Sequence, residues 1–475
     1  MPASGRVASL VRSVRGRVSV QPAELDAAGR DGSHITGRPL ATVAPRDEAD
    51  VVRVVEWARD HRVALVPRGA GTSLDGESVP LDGSVAVDFR RWNRVLEVDA
   101  DGRWARVGPG LVNARLQSAL RPHGLFFPPN PGSWLTSTIG GHVATNASGP
   151  RSFRYGSTRR WVRTIRAVLG TGETVELGSR SEKRSMGPDL LEAFIGSEGT
   201  LGIVTEVTVR LAPLPRVRWG VALPLPARPR LGPLAVALAR LPGSGLSAVE
   251  YLDAYSARGL AVARGAPWST DTGRLLLEVE ADRPSEARRN LRRIDRLVRT
   301  FGLSTPGVRF AEADRLWDLR GEAGRVMDEV LGSRIREDVA VPPARVDELL
   351  AALSRIARRE GVAVHTFAHL GEGNVHPNFV VDPDSPRAER IRRALYAAAL
   401  RLGGTLSAEH GIGRVKRAYV ARELDAASVR LLRALKAACD PAGILNPGKL
   451  YPPSPTARRS VRSPSRPGVA RTPRA

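Results

Sequence analysis

Residues 124–162, GLFFPPNPGSWLTSTIGGHVATNASGPRSFRYGSTRRWV, constrain the fold more than any other stretch. Proline-fixed turns, a Gly-Gly pair and small polar side chains follow one another, yet apolar residues recur throughout. A flexible linker has no use for those apolar residues, and a core element would carry more bulk. A run this poor in large side chains lets backbone come close to a flat ligand. The expectation is a wall of a binding cleft.

Two further clusters have the same texture. PRGAGTSLDG (67–76) follows a strand pattern, and Gly69, Gly71 and Gly76 free the backbone so that N–H groups can converge on an anion. Thr72 and Ser73 add hydroxyl donors, which suits a phosphate or pyrophosphate. The spacing fits neither the Walker loop nor the GxGxxG dinucleotide fingerprint. FIGSEGTLGIVTEVTVRLAP (194–213) joins a glycine-rich turn to an alternating strand.

The surrounding pattern is mixed α/β. ATVAPRDEADVVRVVEWARDHRVALVPRG reads as strand, helix from Asp47 to Asp60, strand; acids open the helix and bases close it, as the macrodipole prefers. Short strands follow in SVAVDF, RVLEVD and WARVGPG. From about Arg216 a second α/β region begins, with strands in RLLLEVE, RIREDVAVP and VAVHTFAHL and helices at 284–300 and 343–360. The expected organisation is an N-terminal segment (1–30), a first α/β domain (31–215), a second α/β domain (216–402) and a return segment (403–451). PPSPTARRSVRSPSRPGVARTPRA (452–475), rich in arginine and proline and lacking acids, reads as a disordered basic tail.

The 475 residues suffice for two or three cores. Cys439 is the only cysteine, which excludes an intrachain disulfide or a cysteine-ligated cluster and fits a reducing, cytoplasmic setting. The formal charge of +23 raises the question of nucleic acid. Only Lys183, Lys416, Lys436 and Lys449 among the 72 basic residues are lysine, and the arginines are spread along the whole chain. With 5% aromatics and no zinc-finger or helix-turn-helix pattern, nucleic acid is not expected as the main partner. Residues 1–20, basic and apolar at helical spacing, are compatible with a peripheral contact at the inner face of a membrane, or with a helix packed on the body.

FAHLGEGNVHPNF (367–379) places His369 and His376 seven residues apart around Gly371 and Gly373. GGTLSAEHGIGRVKR (403–417) adds Glu409 and His410 between glycines. If the first segment turns tightly, His369, His376 and Glu409 make a two-histidine, one-carboxylate set of the kind that holds Zn²⁺, Mn²⁺ or Fe²⁺ with open positions. Spacing alone leaves open a purely structural pair on a turn.

The three small-residue clusters, in this order, resemble the FAD-binding domain of the vanillyl-alcohol oxidase/p-cresol methylhydroxylase superfamily. HLGEGNVH and AEHGIG are similar to motifs of its FAD-linked D-2-hydroxyacid dehydrogenases, the branch of D-lactate dehydrogenases and the flavin subunit of glycolate oxidase. The resemblance runs from about Arg38 to Lys449. It implies an α+β chain with a two-subdomain FAD-binding domain of p-cresol methylhydroxylase type and an α/β cap built on an antiparallel sheet. It implies that Pro67, Arg68, Gly69, Ala70, Gly71, Thr72 and Ser73 cradle the FAD pyrophosphate. Pro131, Ser133, Thr138, Gly141, Asn146, Ser148 and Gly149 would line the cofactor, with Glu198 and Ile203 near the adenine end. Thr72 stands where some relatives attach FAD through histidine, so the FAD is expected to be non-covalent. Asn130, Gly132 and Ser137 depart mildly from the usual residues.

The same resemblance makes His369, His376 and Glu409 the ligands of a divalent metal, His410 the general base and Asn378 a substrate contact. Arg320 becomes the carboxylate clamp and Arg336 a second cation. Ala368, Glu372 and Ala408 differ from the usual motif residues but leave the ligand set intact. Gly324 replaces a threonine that binds longer diacids, which favours a smaller acid. The implied activity is oxidation of a D-2-hydroxy acid to the 2-oxo acid, with electrons passed to a quinone, a cytochrome, an electron-transfer flavoprotein, an iron–sulfur subunit or oxygen. The alternatives are an alkyl-glycerone-phosphate synthase-like flavoenzyme with no net redox change, and a flavin-free binding protein.

Overall fold

The computed structural model describes residues 3–303 and 307–452; the basic tail, apart from Pro452, lies outside the described residues. The first sheet has four strands in the order Arg17–Ser19, Ala41–Ala44, Val85–Asp88, Leu65–Arg68. The last three run parallel. The crossover between Ala41–Ala44 and Leu65–Arg68 is the helix Glu48–His61, whose first turn is capped by the Asp47 side chain accepting from Asp50 N–H. Arg62 ends it in the left-handed region, φ 52°. Val51, Val54, Val55 and Trp57 pack on Val43, Val85 and Val87 of the sheet, each buried side chain contributing roughly 1.5–3 kcal/mol.

A second, antiparallel sheet follows, ordered Val95–Asp99, Trp104–Val107, Ile203–Arg210, Val162–Val168, Thr174–Gly178. Its buried face holds the helices Asn113–Leu120 and Ile139–Thr145 through Leu116, Leu120, Ile139 and Val143. Residues of the glycine-rich turns at 67–76 and 194–202 and of the run 124–162 line one cleft.

The third sheet is the largest, eight strands built between Val217 and Phe379, with antiparallel pairing throughout. In the strand Arg274–Ala281 every residue is buried. Leu275, Leu277 and Val279 join the core beneath the helices Leu231–Ala239, Pro284–Arg299, Val346–Glu360 and Pro386–Arg401. Side chains alternate across a sheet, so Leu276, Glu278 and Glu280 point to the opposite face. There Leu276 packs with Leu252, Leu316 and Met327, and Glu280 accepts a hydrogen bond from Tyr155 Oη at 2.5 Å. One face is thus a plain apolar core, and the other carries acids, of which Glu280 meets the run 124–162.

RIREDVAVP does not form one strand. Ile335–Arg336 and Val339–Ala340 each pair with Asn374–Phe379 but are separated at Glu337 and Asp338, both buried. The Asp338 side chain pulls the backbone aside to meet the loop at 407–410. Residues 403–451 run back from this sheet across the molecule. The helix Ala426–Cys439 reaches the second core through Cys439, and Leu445 pairs with Leu65 of the first sheet. Among the described residues no helix is long and apolar enough to cross a membrane.

Candidate active site

A cleft of about 550 Å³ runs from the end of the strand Leu65–Arg68 to the third sheet. Its first wall is Pro67–Leu74. Gly71 has φ +69°, open to glycine at no steric cost, and a Cβ on Gly69 would collide with Thr138 Oγ1. That hydroxyl caps the helix Ile139–Thr145, accepting from Gly141 N–H. Among the described residues, the backbone N–H groups of Gly69 to Leu74 meet no protein acceptor. The Arg68 guanidinium is turned away, donating to the carbonyls of Ala27 at 3.0 Å and Arg30 at 2.5 Å. An anion here therefore meets backbone amides and the hydroxyls of Thr72 and Ser73, which suits the pyrophosphate of FAD.

Pro131, Ser133, Thr138, Gly141, Ser148 and Glu198 also line the cleft. Asn146, Gly149 and Ile203 do not. Asn146 closes a helix in the left-handed region and accepts from Arg159 N–H. A Cβ on Gly149 would collide with Asn130 O, and Ile203 is wholly buried in its strand. These three support the wall from behind. The Glu198 carboxylate is also spent within the protein: it accepts from Ile412 N–H at 2.6 Å and Gly413 N–H at 3.0 Å. Burial pushes it up to about 7, against the pull of those two amides.

The histidines lie at the far end. The segment between them does turn tightly, through a single 3₁₀ turn Leu370–Glu372 and Gly373 at φ +74°. The strand register sets His369 against Asn374 and Phe367 against His376, so His369, His376 and Asn378 share one face of the sheet. His369 Nε2 and His376 Nε2 approach the same oxygen, Glu409 Oε1, at 3.1 and 3.3 Å. The other oxygen of Glu409 accepts from Ser148 Oγ, 2.8 Å away on the flavin side. His410 stacks on His376 with ring centroids 5.2 Å apart, and its Nδ1 is buried without a hydrogen-bond partner.

The electrostatics follow from this packing. Burial opposes charge on His369, but Glu250 and Glu409 outweigh it and hold the imidazole well above its usual range. His376 is pushed down to about 3, chiefly by burial. Glu409 is held well below the carboxylate range by the two histidines in spite of its burial. His376 Nε2 has no hydrogen-bond partner. A convergent N, N, O donor set with one orphaned nitrogen fits a divalent cation. Asp338, His376 and His410 form a second, overlapping group within reach of a common point.

The cations sort differently from the sequence expectation. Arg320 is buried, donates to Glu250 Oε2 at 2.9 Å and lies over the Phe367 ring at 4.6 Å. Arg336 sits at the rim, its side chain 40% exposed and paired with Asp328. Arg334 is the deeper residue, 2% exposed, with Nη2 on Gly324 O and Asp328, and with Nε and Nη1 unpartnered. Its guanidinium is lowered to about 10 by burial. The alternation in SRIRED puts both arginines on one face and cannot rank their depth. Glu250 was also missed: a lone acid in the apolar strand Leu246–Leu252 is its only signal, and its partner His369 is 119 residues away.

Residues 39–178 match the FAD binding domain family and residues 230–450 the family of FAD linked oxidases, C-terminal domain. The glycolate oxidase subunit GlcD of Bacillus subtilis is 33% identical over 87% of this chain and 89% of its own length. The D-2-hydroxyglutarate dehydrogenase of Stutzerimonas stutzeri is 32% identical over 92% and 96%, and the D-lactate dehydrogenase of Archaeoglobus fulgidus 33% over 86% and 91%. Among solved structures, p-cresol methylhydroxylase with substrate bound superposes with a TM-score of 0.76 at 16% identity, covering 94% of this chain and 96% of its own. An alkyldihydroxyacetonephosphate synthase does so with 0.72 at 18%, covering 94% and 84%. At those identities the structural likeness shows the fold alone. The chain belongs to the FAD-linked oxidoreductases, in the family that includes glycolate oxidase subunit GlcD and the D-lactate and D-2-hydroxyglutarate dehydrogenases.

Proposed function

We propose that the chain oxidises a D-2-hydroxy acid of lactate or glycolate type to the 2-oxo acid. The observation that carries this reading is the meeting of His369, His376, Glu409 and His410 at one end of the FAD cleft. Bound FAD supplies the acceptor for the α-hydrogen and its electron pair. A divalent cation (Zn²⁺, Mn²⁺ or Fe²⁺) on His369, His376 and Glu409 supplies Lewis acidity to the substrate hydroxyl.

The protein's own groups do the rest. Arg320 receives the substrate carboxylate; its forked donors match that group, and Glu250 and Phe367 keep it from swinging away. Arg334 backs it as a second cation in the wall, in place of Arg336. His410 takes the hydroxyl proton on a ring nitrogen that no protein group occupies. Asn378, anchored by its Nδ2 on His376 O at 3.1 Å, presents its side chain to the same space. In this reading residues 31–215 hold FAD, 216–402 cap the substrate, and 403–451 return to close the site. With a single cysteine the chain carries no cluster of its own, so electrons leave to an external acceptor.

Anaerobic addition of D-lactate or glycolate to the purified yellow protein is expected to bleach the flavin band. A yellow protein that neither acid bleaches, nor any other 2-hydroxy acid, removes the reading and turns attention to a non-redox exchange.

A further inference from the structure

A buried carboxylate stands behind each of the two histidines. Glu250 Oε1 lies 2.7 Å from His369 Nδ1, and Glu250 Oε2 takes the Arg320 guanidinium. Asp338 is its counterpart: Oδ1 faces His376 Nδ1 at 3.8 Å and has no hydrogen-bond partner. Its other oxygen accepts from three consecutive backbone N–H groups, Ala408 at 2.9 Å and Glu409 and His410 at 2.8 Å, and from Ser407 Oγ at 3.1 Å. Successive amides around one anionic oxygen make a nest. Behind it, the wholly buried Lys416 donates to Asp338 O at 3.3 Å and pairs at 3.0 Å with Asp75, at the end of the glycine-rich loop. Glu250 and Asp338 are both fully buried.

We infer that Glu250 and Asp338 are a matched pair of positioning residues. Each turns one imidazole so that its Nε2 lone pair faces the point shared with Glu409. Asp338 also fixes the backbone turn that presents Glu409 and His410 side by side. The inference rests on the metal-ligand reading above.

The chemistry is that of a metal-bound imidazole, which is neutral and carries one N–H and one lone pair; on His369 the cation takes the place of the second proton, the one facing Glu409. A carboxylate behind Nδ1 holds the proton there and leaves Nε2 as an electron-pair donor. Both Nε2 atoms do face the same oxygen. The division of labour is symmetrical. One oxygen of each acid serves an imidazole, and the other serves a second working group: Arg320 for Glu250, the 408–410 turn for Asp338.

Asp338→Asn tests this directly. The amide keeps the size of the side chain and an oxygen for the nest. Its NH₂ takes the place of Oδ1 and turns a donor toward His376 Nδ1 where the carboxylate presents only negative charge, so the ring proton is favoured on Nε2 and the lone pair is lost. Wild type, Asp338→Asn and Glu250→Gln would be purified with FAD, stripped of metal by chelator and titrated with Mn²⁺ and Zn²⁺. Flavin absorbance gives FAD occupancy, and mass spectrometry of the dialysed protein gives metal stoichiometry.

The expected result is a metal dissociation constant raised about 10- to 100-fold in both variants, with FAD occupancy unchanged. Excess metal should restore part of the flavin reduction in Asp338→Asn. Wild-type metal affinity in Asp338→Asn overturns the inference, as does loss of FAD together with metal, which marks a merely structural role. Two metal equivalents in the wild type, falling to one in Asp338→Asn, also overturn it by making Asp338 itself a ligand. A wild type that binds no metal removes the ligand reading and the inference together. A wild type that binds one metal tightly but is reduced by no hydroxy acid removes the proposed reaction and leaves the inference standing.

Discussion

The wall of the cleft formed by Pro67–Leu74 offers a ligand mostly backbone, whereas the opposite wall offers polar and charged side chains brought from two strands, a helix and a loop. The first is made by leaving things out. At Gly69 a methyl group would strike Thr138, and the loop's amides stay free because no side chain competes for them. The second is made by assembly, with Glu250, Arg320, His369, His376 and Glu409 each holding another in place. A wall made by omission survives the loss of most single groups beside it. A wall made by assembly fails as a unit.

That contrast is open to attack from both sides. The largest effect is expected from His410→Ala, which should leave FAD in place and lower the rate of flavin reduction by about 10³-fold, within the range for loss of a general base. Stopped-flow absorbance would show it, and reduction at the wild-type rate would remove His410 from the proton transfer. Gly69→Val should do the reverse: FAD occupancy falls by about 100-fold, on the order of 3 kcal/mol for a collision with a capping residue, while Mn²⁺ affinity holds. If metal and flavin are lost together in that variant, the two walls are not independent.

Smaller changes sharpen the picture of the charged wall. Arg334→Met should raise the KM for the hydroxy acid about 10-fold, the worth of one charged hydrogen bond, and Arg336→Met less than about 3-fold, as for an exposed ion pair. Steady-state kinetics that rank them the other way would restore Arg336 as the second clamp. The smallest effect concerns Glu198. In the unfolded chain its proton leaves near the ordinary glutamate value of 4.5, but in the folded protein it stays until about 7. The folded state therefore binds more protons across that window, and stability of the FAD-free protein falls as pH rises through it. Glu198→Gln should flatten the fall by about 2 kcal/mol, read as Tm between pH 4.5 and 7.5. An unchanged slope would assign the loss elsewhere.

The flavin-side wall was legible in the sequence because omission leaves a local mark. Gly69, Gly71 and Thr72 lie within one short loop, and the run 124–162 shows its lack of bulk without any knowledge of pairing. Asn146 and Gly149 were expected to line the cofactor and Ile203 to lie near its adenine end; their side-chain positions are off the lining of the cleft, a depth that a motif does not give. The histidine turn was legible for the same local reason, with Gly373 adopting the positive φ that a tight return needs. Glu250 and Asp338 left no such mark. Each is one acid among apolar neighbours, and its meaning comes from register: Glu250 stands opposite His369 only because the strand Leu246–Leu252 pairs with Val364–His369. Arg334 lies deeper than Arg336, a difference of burial that alternation alone does not supply.

Glu198 receives its two amide donors from residues made 214 and 215 positions later, Asn446 donates to the carbonyls of both Glu77 and Glu198, and Leu65 is paired by Leu445. Time is therefore part of this architecture. As the chain leaves the ribosome, the glycine-rich loop emerges early, but its cofactor pocket cannot shut until the whole antiparallel sheet and the helix Ala426–Cys439 have been synthesised. For most of translation the nascent protein holds an open cradle, and FAD becomes locked in only when the last stretch arrives.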